Sequence, residues 1–127
     1  MGIKLIKISV VYFSLSVLLG LVMSITHNYI YTGVHAHMNL LGWTSLTLAG
    51  IIYLLFPRAA ETTLAKVHFW LHNIGLPFMM GGLFLVVSGI SQVGIFISIG
   101  GTMVVIAVIL FSINIWLNVK QVELYWR

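Results

Sequence analysis

Apolar residues run through this chain in four long stretches, without the alternation of a strand: Lys7–Thr26, Thr32–Phe56, Val67–Val87 and Val93–Val119. A helix needs about 20 mainly apolar residues to cross about 30 Å of hydrocarbon, and each stretch meets that length. Short polar segments separate them, His27–Tyr31, Pro57–Lys66 and Ser88–Gln92, so neighbouring helices should run antiparallel. Pro57 should end the second stretch, because proline has no N–H to donate and its ring clashes with the preceding turn. The pattern predicts an all-α fold in one domain over residues 1–127, a bundle of four transmembrane helices. Lys4 and Lys7 before the first run resemble the start of a signal peptide, but the run ends Ser24-Ile25-Thr26-His27 without a small-x-small cleavage site. It is expected to be the first membrane helix.

Charge adds orientation. Lys4, Lys7, Arg58, Glu61, Lys66, Lys120, Glu123 and Arg127 are all the charged residues, and four alternating spans place every one on the same side. The excess of Lys and Arg predicts that this side, with both termini, is cytoplasmic. Trp70, Trp116, Tyr125 and Trp126 lie toward the same face, where amphipathic rings favour the headgroup level. Localisation in a bacterial or archaeal cytoplasmic membrane, as a multi-pass protein, follows as the expectation.

Two sequence features bear on packing. Small residues recur every fourth position as Ser16, Gly20 and Ser24 and again as Gly94, Ser98 and Thr102, rows expected at helix contacts within or between subunits. Pro77 deprives the Asn73 carbonyl of its helical donor and predicts a kink in the third helix.

Composition agrees and narrows the chemistry. With 61% hydrophobic and 6% charged residues, the chain has too little polar surface for a water-soluble fold of this size. The net charge of +4 is not gathered into a basic stripe with exposed aromatics, so no nucleic-acid partner is expected. Without cysteine, disulfides, thiolate metal sites and iron–sulfur clusters are excluded. Histidine is left as the main ligand and acid–base group.

The five histidines fall into two groups. His27, His35 and His37 lie toward the outer face, whereas His68 and His72 lie in the first turns of the third helix near the charged face. The thickness of the membrane keeps the groups from sharing one metal. His68 and His72, four apart, share a helical face and could bind a metal together, but with no third partner nearby an interfacial or hydrogen-bonded pair is the expectation. His35 and His37, two apart, point about 200° from each other on a helix of 3.6 residues per turn, so they cannot hold one iron from the same helix. Each can serve a different site, and neutral imidazole is a common axial ligand of haem iron. The bland alternative is a pair of histidines solvated at the membrane surface.

The stretch Gly33-Val34-His35-Ala36-His37-Met38-Asn39-Leu40-Leu41-Gly42-Trp43 resembles a haem-ligating helix in the catalytic subunit I of the heme-copper oxidase superfamily, which includes oxygen reductases and nitric oxide reductases. In that family such a His-x-His supplies one ligand to each of two haems in adjacent pores on the outer side. The subunit has twelve helices in three four-helix arcs, and this chain looks like one arc. The resemblance implies a homotrimer with a bis-histidine haem b at each subunit boundary, ligated by His35 of one subunit and His37 of the next, with iron as the metal and electron transport or redox or gas sensing as the role. The family's copper ligands and propionate-binding arginines have no counterparts here. Unless His27 takes part, copper lacks a complete ligand set, and haem propionates would rely on Asn28, Tyr29, Tyr31, backbone N–H groups or water. Trp43 is expected to pack in the bundle and not to touch haem.

Two alternatives remain at this level. One is a minimal quinol-linked nitric oxide or oxygen reductase, an oxidoreductase that exchanges one axial histidine for substrate and takes electrons from a quinol or cytochrome partner. The other is a membrane protein whose histidines bind copper or zinc without haem. Whether the protein is an enzyme, and which residues would be catalytic, the sequence leaves open.

The absence of native cysteine makes the orientation directly testable. Ser91→Cys should react with an impermeant thiol reagent in intact cells and Arg58→Cys should not; the opposite pattern inverts the topology.

Overall fold

The computed structural model of the chain describes residues 1–120. Glu123, Tyr125, Trp126 and Arg127, which the sequence reading assigned to the charged end, lie outside the described residues. Four helices are long and apolar enough to cross a membrane: α1 (Gly2–Thr26), α2 (Thr32–Leu55), α3 (Thr63–Val87) and α4 (Gly94–Asn118). A helical turn at Pro57–Ala60 joins α2 to α3, and a 3₁₀ turn at Ser91–Val93 leads into α4.

The boundaries differ from the apolar pattern where helix formation does not depend on apolarity. α1 starts at Gly2, so Lys4 and Lys7 are its first turns. α3 starts at Thr63, with Lys66 inside it, because Thr62 caps the helix by accepting from the Ala65 N–H at 3.1 Å. α2 ends at Leu55, before Pro57. It is also not uniform: Met38–Thr44 is π-helical, which periodicity did not foretell. α3 runs through Pro77 as one α-helix.

α1 packs mainly on α2, and α3 on α4, while α2 meets α3. In the most apolar part of each helix, 17% of residues are buried in α1 and α4, against 28% in α2 and 33% in α3, so α2 and α3 are the inner pair. Large apolar side chains such as Leu18, Leu21, Val105, Ile109 and Leu117 stand exposed on the outer pair, as hydrocarbon solvent permits. Four hydroxyls on these faces bond back to their own helix, Ser14 to Val10, Thr26 to Val22, Thr102 to Ser98 and Ser112 to Val108, and so present no orphan donor to lipid. The charged end is assembled in space: Met1 and Lys4 share a cavity with Phe69 and Trp70, and Arg58 shares one with Lys120.

Of the small-residue rows, Ser16 is buried and Gly20 faces α2, where an added Cβ would lie 2.9 Å from His35 Cε1. The row in α4 does not pack inside the subunit, since Ser98 and Thr102 are exposed and nothing lies within 4 Å of a Cβ at Gly94. The close approach of α4 to α3 is made instead by Gly100, seated on the backbone of Gly75 and Met79. A Cβ on Gly75 would come within 2.9 Å of the Gly100 carbonyl.

Gly100→Val should therefore push α4 off α3 and destabilise the protein by about 1–3 kcal/mol, as overpacking does. Gly81→Ala, where a Cβ meets nothing within 4 Å, should be neutral or slightly stabilising in the same detergent-denaturation measurement.

Candidate functional site

Two polar clusters interrupt the apolar interior, one at each group of span histidines. The outer one is built on the first turns of α2. Tyr31 and Thr32 start the helix, with the Thr32 hydroxyl bonded to the Tyr29 carbonyl at 2.7 Å. Ring directions then follow from helical geometry: His35 turns toward α1 and is half-buried, and His37 turns away and is exposed.

His35 is fixed from three sides. Its Nδ1 donates to the Ser16 carbonyl at 2.9 Å, which leaves Nε2 as the lone pair, with the Asn39 amide nitrogen 3.3 Å from it. The Ser16 hydroxyl and the Asn39 amide also donate to the His35 carbonyl, at 3.1 Å each. His37 is held by one bond, Nδ1–H to the Gly33 carbonyl at 2.7 Å, and the residue is exposed. His27 ends α1 in the left-handed conformation at φ 51° and is exposed. Among the described residues no three histidine or acidic side chains gather as a metal-ligand group, so His27 does not join His35 and His37 within the subunit.

Neighbouring residues take structural parts. Trp43 packs on Phe13 of α1 with ring centroids 4.6 Å apart, in the bundle as expected. Tyr31 stacks on Phe84 at 4.7 Å, and its hydroxyl meets that of Ser88 at 3.0 Å, tying the start of α2 to the end of α3. Asn28 accepts from the Ile30 N–H at 3.3 Å.

The inner cluster lies at the seam between α2, α3 and α4. Ser45 N–H bonds to Leu40, five residues back, so the Leu41 carbonyl loses the donor that an α-helix would give it. His72 supplies one: its Nε2 donates to Leu41 O at 3.0 Å. The His72 ring is 1% exposed, and its Nδ1 is buried without a hydrogen-bond partner. His68, one turn earlier, is 2% exposed and meets the Tyr53 hydroxyl through Nδ1 at 3.2 Å. The two rings are perpendicular, with centroids 5.6 Å apart.

Toward the charged end, buried Asn114 donates to the Ala59 carbonyl at 2.9 Å and accepts from the Thr62 hydroxyl at 2.8 Å and the Asn118 amide at 2.9 Å. Its amide also lies 3.5 Å from the Tyr53 hydroxyl. His68 and His72 are therefore hydrogen-bonded and lie inside the bundle, not at its interface with water. Sequence reading passed over Tyr53 and Asn114, and gave Ser16 and Asn39 no part in holding His35. Asn114 carried a visible signal, a lone amide within an apolar run, because such groups need partners in lipid.

No protein family, curated protein or solved structure matches the chain.

Proposed function

We propose that this chain is a b-type haem protein of a bacterial or archaeal cytoplasmic membrane, with its charged end inside, that assembles as a homotrimer around haems at the subunit boundaries. His35 and His37 are the axial ligands. The observation that carries the reading is the state of His37: one ring nitrogen is locked by a backbone carbonyl, and the residue is exposed on the surface of the subunit. A metal-ligating histidine usually donates its other N–H to such a carbonyl, which fixes the tautomer and raises the basicity of the ligand nitrogen. An imidazole facing lipid without a partner is costly.

His35 has the same lock on Nδ1, and ligation through Nε2 requires the Asn39 amide to turn aside. The two residues face opposite sides of α2, so one subunit offers two half-sites, and a cyclic arrangement makes every boundary equivalent. Inner helices flanked by outer ones, with apolar side chains exposed on both, suit association through those flanks. Bound haem supplies one-electron transfer, from a quinol or cytochrome donor. The His35 and His37 rings hold the iron, while Ser16 and Gly33 orient them. With both axial positions taken by histidine, electron transfer or redox sensing is favoured over reduction of oxygen or nitric oxide.

Co-expression of a His35→Ala subunit with a His37→Ala subunit tests the shared site. Each variant alone should lack low-spin haem, whereas mixed trimers retain one intact His35–His37 boundary and should recover part of the absorbance. Co-assembled subunits without recovery would place both ligands of each haem in one chain.

A further inference from the structure

We infer that the cavity between the end of α2, the turn after it and the end of α4 binds the phosphate of an anionic glycerophospholipid, held between Arg58 and Lys120. The cavity encloses about 470 Å³, within the range of small-ligand sites. Its two cations come from elements far apart in the chain: Arg58 follows Pro57 in the helical turn, and Lys120 lies just beyond the end of α4. Among the described residues its walls carry no carboxylate. Like charges around one cavity repel, and an anion between them replaces that repulsion with attraction on both sides.

The walls are held by the fold and do not have to be assembled around a ligand. Buried Asn114 donates to the carbonyl of Ala59, the residue after Arg58, at 2.9 Å and accepts from the Asn118 amide at 2.9 Å. The Asn118 amide also donates to the Asn114 backbone carbonyl at 3.1 Å, so both of its hydrogens are used inside the protein. Asn114 thus ties the turn that carries Arg58 to the end of the helix that leads to Lys120. Asn118 lines the cavity with no amide hydrogen left for an anion, and the charge contacts fall to Arg58 and Lys120.

Depth and polarity select a lipid over a free anion. Leu55 and Leu117, which also line the cavity, are exposed at the ends of membrane-crossing helices, a surface that acyl chains cover. Trp116, next to Leu117, is 88% exposed, and an indole so placed favours the headgroup level. Lipid phosphates lie at that same depth. Basic pockets between membrane helices recognise anionic headgroups there. A zwitterionic lipid carries an ammonium that both cations repel, so the site selects for net negative charge.

Native mass spectrometry of the purified, delipidated protein, titrated with phosphatidylglycerol or phosphatidylcholine at about 0.15 M ionic strength, tests the site. One phosphatidylglycerol per chain should bind about 30-fold more tightly than phosphatidylcholine, since each interfacial cation contributes a factor of about five. Arg58→Gln/Lys120→Gln should abolish that preference, and because both side chains are exposed the variant should fold. Lys4→Gln/Lys66→Gln removes the same charge from the same end but outside this cavity, and should keep the preference. Inorganic phosphate in large excess should not displace the lipid. None of these readouts depends on haem. Equal binding of the two lipids, an undiminished preference in Arg58→Gln/Lys120→Gln, the same loss in both double variants, or displacement by inorganic phosphate would each overturn the site.

Discussion

A carbonyl inside hydrocarbon has to find a donor within the protein, because no water is present to supply one. The π-helical turn at Met38–Thr44 creates such a demand in the middle of α2 by directing the Ser45 N–H to Leu40 and leaving Leu41 O without it. His72 of α3 meets the demand, and this bond, with that of Tyr53 to His68, joins the α1–α2 pair to the α3–α4 pair. Much follows from this one interaction. It fixes the seam between the inner helices and sets the tautomer of His72. The π turn also begins directly after His37, so the helix that presents the outer histidines is anchored where its regular ladder changes. π-bulges are frequent at functional sites.

The same constraint explains the outer histidines. Ser16 O receives His35, Gly33 O receives His37 and Leu41 O receives His72, each through a single ring N–H. In every case the bond to a carbonyl leaves the other nitrogen with its lone pair, the form that binds a metal. What differs is where that lone pair faces. For His35 it lies by the Asn39 amide, for His37 it belongs to a residue exposed on the surface of the subunit, and for His72 it is sealed inside. A fold with few charges thus distributes its ligand capacity by ring orientation.

The four spans were legible in the sequence because hydrocarbon thickness sets a length that the apolar runs display openly. The divergence of His35 and His37 was also legible, since it depends only on 3.6 residues per turn. Helix starts at Gly2 and Thr63 were not, because capping and propensity extend helices past the apolar core. The π turn was hidden, as Met38–Thr44 contains no residue whose chemistry demands five-residue hydrogen bonds. The small-residue row in α4 was ambiguous for a related reason: spacing marks a face without saying what it meets, and within the subunit the face that meets α3 carries Gly100 and Val104. Asn114 and Tyr53 looked like isolated polar residues along the chain. Only the meeting of α2, α3 and α4 turns them into one network with His68 and Thr62.

The central claim is that two imidazoles, one from each of two subunits, fill both axial positions of a haem. The optical spectrum of protein purified with its native haem complement, reduced and then exposed to carbon monoxide, tests it most directly. Bis-histidine ligation requires sharp, split bands of low-spin reduced haem that carbon monoxide leaves unchanged. A high-spin spectrum that shifts with carbon monoxide, or no haem absorption at all, would contradict it.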